Sequence, residues 1–148
     1  MSQKTFKDII VKFTLGEFTK IQSSFWDVVN LVPDEDFDAL EYGFSQQQID
    51  DGDAPESEFE YNMRRCFEDF NREKDDCYTT DGTNYILLCQ LIGQMMSRYA
   101  YVLYDVGEFN PGDTDMEEDL MCICDAANIV LQNPAFFECK QLAIDLRK

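Results

Sequence analysis

The stretch NYILLCQLIGQMMSRYAYVLYDV, residues 84 to 106, decides the fold class. Large apolar groups fill it almost without a break: Tyr85, Ile86, Leu87, Leu88, Leu91, Ile92, Met95, Met96, Tyr99, Tyr101, Val102, Leu103 and Tyr104. Its polar members, Gln90, Gln94, Ser97 and Arg98, recur at helical spacing and make one narrow stripe. A helix with so thin a polar stripe belongs at the centre of a globular bundle. A membrane span is disfavoured, because two glutamines and an arginine would have to be desolvated in hydrocarbon.

Helical patterns continue on both sides. C-terminally, Phe109, Asn110, Pro111, Gly112 and Asp113 read as a turn, and Thr114 with Glu117 as a capping box. Met116, Leu120, Ile123, Ala127, Val130 and Leu131 then carry a helix to Asn133, and Pro134 starts another through Phe137, Ile144 and Leu146. N-terminally, Asp53, Ala54, Pro55 and Glu56 spell a helix start, and Phe59, Met63, Cys66, Phe67 and Phe70 give the apolar side of a helix to about Asn71. Residues 45 to 53, poor in apolar groups, are expected to be an exposed acidic loop. Asp34 is expected to cap a short helix holding Phe37 and Leu40. A helix from Phe18 to Val32 is expected to end at Pro33, and a short amphipathic helix to span Thr5 to Phe13. The expectation is an all-α fold: a single compact bundle of six or seven helices, one domain over residues 1 to 148, with no strand.

Composition agrees with a folded body. A chain of 148 residues with 45% hydrophobic content, 12 Phe and 7 Tyr can bury one substantial core. The six cysteines, Cys66, Cys77, Cys89, Cys122, Cys124 and Cys139, read as free thiols of a reducing cytoplasm, with Cys89, Cys122 and Cys139 in the core. Cys122 and Cys124 form a lone C-x-C without a second pair, too little for zinc. The chain has no histidine, which removes Ser-His-Asp and Cys-His nucleophiles and imidazole metal ligands. No phosphate-binding glycine loop or G-x-S-x-G occurs, and the turns at Gly52, Gly82 and Gly112 fail the calcium-loop spacing. Neither an enzyme nor a resident cofactor or metal is expected, although Asp113, Asp115, Glu117 and Glu118 are close enough in sequence for loose divalent binding.

The charge is the most informative property. Thirty Asp and Glu against twelve Lys and Arg leave a formal charge of -18. Two stretches lack any base. Between Ile21 and Met63 the acids are Asp27, Asp34, Glu35, Asp36, Asp38, Glu41, Asp50, Asp51, Asp53, Glu56, Glu58 and Glu60. Between Tyr99 and Cys139 they are Asp105, Glu108, Asp113, Asp115, Glu117, Glu118, Asp119, Asp125 and Glu138. Helix N-termini favour acids through the helix dipole, which accounts for part of this. It does not explain why lysine is missing from the same helix faces, where ion pairs at i,i+4 would stabilise. A salt-adapted surface would spread acid along the whole chain, whereas here the two ends are net basic.

The functional expectation is a surface that imitates a nucleic-acid backbone. Carboxylates three residues apart on a helix, such as Glu35, Asp38 and Glu41, advance by about 4.5 Å, against about 3.4 Å per charge along one DNA strand. The expected partner is a basic protein that handles nucleic acid, such as a nuclease, while direct contact with nucleic acid or membrane is disfavoured by repulsion. The residues assigned to partner binding are Asp34, Glu35, Asp36, Asp38, Glu41, Asp50, Asp51, Asp53, Glu56, Glu58, Glu60, Asp113, Asp115, Glu117, Glu118 and Asp119. Trp26, Tyr42, Phe44, Tyr61, Tyr78 and Phe109 are candidate aromatic anchors. In charge and size alone the chain is similar to DNA mimics that inhibit defence nucleases and to immunity proteins of toxin nucleases, an analogy carried by no motif. The alternative is a helical adaptor with a groove floored by Tyr85 to Tyr104 that takes a partner helix by apolar contact.

Overall fold

The computed structural model describes residues 4–29, 36–100 and 114–148, with the side chains of residues 100 and 114–117 left out. The elements are β1 (Ile10–Thr14), α1 (Leu15–Val28), α2 (Gln46–Asp50), α3 (Glu58–Glu68), β2 (Asn71–Arg72), β3 (Cys77–Asp81), α4 (Gly82–Ala100), α5 (Thr114–Gln132) and α6 (Ala135–Leu146), with short 3-10 turns at Phe6–Asp8 and Ala39–Tyr42. The protein is therefore mostly helical, as expected, but not all-α. A three-stranded antiparallel sheet in the order β1-β3-β2 accompanies the helices.

The segment expected to be a helix from Thr5 to Phe13 is instead a turn followed by β1. Val11 and Phe13 are buried while Ile10, Lys12 and Thr14 are exposed, a period of two. β1 pairs with β3 from Ile10 opposite Asp81 to Thr14 opposite Cys77. β2 pairs with β3 through Asn71 and Arg72, and Asp76 takes the positive φ of 54° that the connecting turn requires.

Side-chain caps moved two helix starts and made a third helix where a loop was expected. Thr14 and Glu17 form a reciprocal capping box, so α1 begins at Leu15, before the glycine expected to precede it. Ser45 and Gln48 do the same for α2, so residues 45 to 53 hold a helical turn where a loop was expected. Ser57 accepts the Glu60 amide at 3.0 Å, and α3 starts at Glu58, not at Ala54. The 3-10 turn is capped by Asp38, whose carboxylate accepts the Leu40 amide at 3.1 Å. The cap expected at Asp34, the turn at 109 to 113, the stop at Pro33 and the stretch 101 to 106 lie outside the described residues, as do the side chains of the Thr114 and Glu117 capping box.

The core joins both layers. Val11 and Phe13 of β1, Phe18, Ile21 and Phe25 of α1, Met63 and Phe67 of α3, Tyr85, Leu88 and Leu91 of α4, and Val130 of α5 form one buried cluster. Gly82 lies where α4 leaves β3, and a Cβ there would sit 2.5 Å from the Phe6 carbonyl. Asn133 is buried at the junction of α5 and α6. Its side chain donates to the Lys12 carbonyl at 2.8 Å and accepts the Ala135 amide at 2.9 Å, tying the last helix to β1. No single helix among the described residues is long and apolar enough to cross a membrane.

Candidate functional site

Helix direction decides where the acids meet. Phe25 packs against Phe59 at 6.0 Å between ring centroids, and Phe18 against Phe70 at 5.0 Å, so α3 runs antiparallel to α1. Cys122 lies 3.7 Å from the Asp27 carboxylate and Lys20 lies 3.5 Å from Asp125, so α5 is antiparallel to α1 as well. The N-terminal ends of α3 and α5 consequently lie beside the C-terminal end of α1. The two base-free stretches, far apart in sequence, contribute to one end of the molecule. The sheet occupies the other.

At that end Asp27, Asp36, Asp38, Glu41, Asp50, Asp51, Asp53, Glu56, Glu58 and Glu118 are exposed, and Asp119 is half-buried. Glu41, Asp53, Glu56 and Glu58 carry no side-chain ion pair among the described residues. Asp50 and Asp51 accept hydrogen bonds from Gln46 and Gln47, which leaves their charge uncompensated. Asp34, Glu35 and Asp113 lie outside the described residues, and of Asp115 and Glu117 only the backbone is described. The loose divalent site considered at residues 113 to 118 falls in the same stretch.

Glu60 is a correction. It was expected on the partner-binding surface, yet it is only 7% exposed and its carboxylate pairs with Arg64 of the next turn. Arg64 also donates to the Asp53 carbonyl at 2.6 Å and lies 5.6 Å from the centre of the Trp26 ring. Arg64 and Glu60 therefore fasten the segment before α3 onto α1, a structural task. The sequence signal was present in the spacing of Ser57, Glu60 and Arg64, which places Glu60 three residues after the Ser57 cap and four before its ion-pair partner.

Of the candidate anchors, Trp26 and Tyr42 are exposed, while Phe44, Tyr61 and Tyr78 are half-buried. Phe109 lies outside the described residues. Tyr42 contacts Phe37 at 4.8 Å and Tyr61 at 4.6 Å, Phe44 contacts Tyr61 at 6.2 Å, and Arg65 lies over Tyr61. Tyr78 is stacked on Phe18 at 3.9 Å and belongs to the core. Beside the aromatic group a cleft of about 300 Å³ opens between the 3-10 turn and the segment before α3, with Asp38 and Glu56 among its walls.

At the sheet end two acids are paired with bases. Lys12 pairs with Asp75 at 2.8 Å and Arg72 with Asp76 at 3.2 Å. The Cys77 thiol and the Lys12 ammonium hold the Asp75 carboxyl at about 2, well below the usual range. All six thiols are unbridged; Cys66, Cys77 and Cys139 are buried, Cys89 and Cys122 half-buried and Cys124 exposed. Burial pushes the Cys66 thiol up to about 12, so it is a poor nucleophile. Among the described residues no group of three or more His, Cys, Asp or Glu could hold a metal ion. Comparison with family models, with curated proteins and with solved structures gave no match, so the functional reading rests on this geometry alone.

Proposed function

We propose that the chain is an acidic stoichiometric inhibitor, not an enzyme, that binds and blocks a basic nucleic-acid-handling protein in the cytoplasm. One observation carries this reading: exposed carboxylates from α1, α5 and the segment 36 to 58 converge on one end, with Trp26 and Tyr42 exposed among them. The nearby bases Arg64, Arg65 and Arg98 are already engaged by the protein itself. Helix dipoles favour acids at the N-termini of α3 and α5, but Asp50 and Asp51 stand at the C-terminal end of α2, where the dipole disfavours them. Such a surface attracts a phosphate-binding groove at long range and pairs with its Arg and Lys side chains, while the aromatic groups supply the desolvated contacts that select a partner.

The test is an immobilised chain exposed to cell extract at low salt. The expected result is retention of basic nucleic-acid-handling proteins, their release between about 50 and 500 mM salt, and displacement by added duplex DNA. Retention that survives high salt, or that is unchanged when Asp50, Asp51, Asp53, Glu56 and Glu58 are neutralised, overturns the proposal.

A second reading has its own observation. A groove of about 440 Å³ lies between α4 and α6, walled by Phe6, Tyr85, Ile86, Cys89, Phe136 and Ala143. It supports an adaptor that takes an amphipathic partner helix by apolar contact. Under this reading Ile86→Glu abolishes binding and neutralised acids leave it intact.

A further inference from the structure

The acid-rich end holds one of its own arginines between a ring and a carboxylate and a second against a ring. Arg64 lies 5.6 Å from the Trp26 ring centre and pairs with Glu60, and Arg65 lies 5.6 Å from the Tyr61 ring centre. An aromatic face beside a carboxylate suits the planar guanidinium, which stacks on the ring while its edge donates to oxygen. The cleft beside the 3-10 turn offers the same chemistry that Arg64 meets, and its described lining includes no base. Phe37, itself stacked on Tyr42, forms one wall; Ile49, Ala54 and Pro55 form apolar walls; Asp38 and Glu56 supply carboxylates. Ala54 and Pro55 are buried, so the walls are part of the packed body. One Asp38 oxygen is committed to the Leu40 amide, and the Glu56 carboxylate has no partner among the described residues.

Resting on the reading above, we infer that this cleft is a specificity pocket for a single arginine side chain of the basic partner. Its volume of about 300 Å³ is at the bottom of the ~300–1,000 Å³ range of small-molecule sites, which suits one long side chain better than a cofactor. The aliphatic stem lies against Ile49, Ala54 and Pro55, and the guanidinium meets Phe37, Asp38 and Glu56. Arginine fits better than lysine because only a flat, forked cation satisfies the ring and both carboxylates together.

The probes are three blocked tripeptides, glycine-X-glycine with X as arginine, lysine or the neutral isostere citrulline, titrated into the full chain and followed by NMR. The arginine peptide is expected to shift the resonances of Phe37, Ile49 and Ala54, the lysine peptide to do so several-fold more weakly, and the citrulline peptide not at all. Ile49→Trp, which fills the cleft without changing charge, removes the response, and the pair Asp38→Asn and Glu56→Gln weakens it roughly fivefold. Shifts spread evenly over Asp27, Glu41, Asp50 and Glu118, or equal responses to arginine and lysine, overturn the inference. The wild-type map alone decides this should either variant fold poorly. Salt-sensitive capture of basic proteins without a seated arginine removes only the pocket. A seated arginine without such capture removes the inhibitor reading.

Discussion

The two ends of the molecule use the same side chains under different rules. At the sheet end Lys12 meets Asp75 and Arg72 meets Asp76, and the acids serve as local partners. At the other end one acid, Glu60, is buried against Arg64, while Glu41, Asp53, Glu56 and Glu58 have no ion pair among the described residues. The contrast teaches that an acid's role follows from its surroundings. Glu58 and Glu60 are two residues apart; the first is exposed without an ion pair among the described residues, and the second is a strut.

The largest expected effect breaks the strut. Arg64→Ala leaves Glu60 buried without a cation, frees the Asp53 carbonyl and uncovers Trp26, and is expected to cost about 3 kcal/mol in urea unfolding. Glu58→Gln is expected to change stability by less than about 0.5 kcal/mol. Equal losses would erase the distinction between the two acids. Next, Gly82→Ala at the sheet end forces a Cβ against the Phe6 carbonyl and is expected to cost roughly 2 kcal/mol, with no change in the salt dependence of partner capture.

A smaller effect tests the repulsion directly. Raising salt from about 20 to 500 mM should lift the Tm of the wild type by a few degrees, because like charges at the acidic end are screened. The chain with Asp50, Asp51, Asp53, Glu56 and Glu58 neutralised should start higher and gain less. A last effect, absent at neutral pH, concerns Cys66. Its thiol ordinarily ionises near 9, and burial holds the folded group to about 12. The raised folded value means its contribution is complete below pH 9 and is lost as pH rises from 9 toward 12, so stability should fall across that window and fall less in Cys66→Ala. In the folded protein Cys124 should alkylate first and Cys66 last.

Much of the helical layer was legible in the residues. The apolar groups of Phe18 to Phe25, Phe59 to Phe70 and Tyr85 to Tyr99 sit on buried faces because helical periodicity and tertiary packing agree there. The sheet was not legible, because Ile9, Ile10 and Phe13 fit a short helix as well as Ile9, Val11 and Phe13 fit a strand. The tie was broken by pairing with Cys77 to Asp81, almost seventy residues away. Helix starts misread at Gly16 and Asp53 show side-chain caps, reciprocal at Thr14 and one-way at Ser57, overriding glycine, proline and acid signals. The acids themselves were legible, but their convergence was not. It depends on helix directions, and a charge census carries no record of those. Cleft walls drawn from Phe37, Ile49 and Ala54 were hidden for the same reason.

The tie made by Asn133 has a practical consequence for handling the molecule. It anchors the last helix to the first strand, and Lys4 shares a surface hollow with Glu138, Gln141 and Asp145. Both extremities of the described chain therefore emerge together on the side remote from the carboxylates. A tether, fluorophore or fused protein at either extremity leaves the opposite face unobstructed, and a short linker joining the two would permit the backbone to be opened elsewhere.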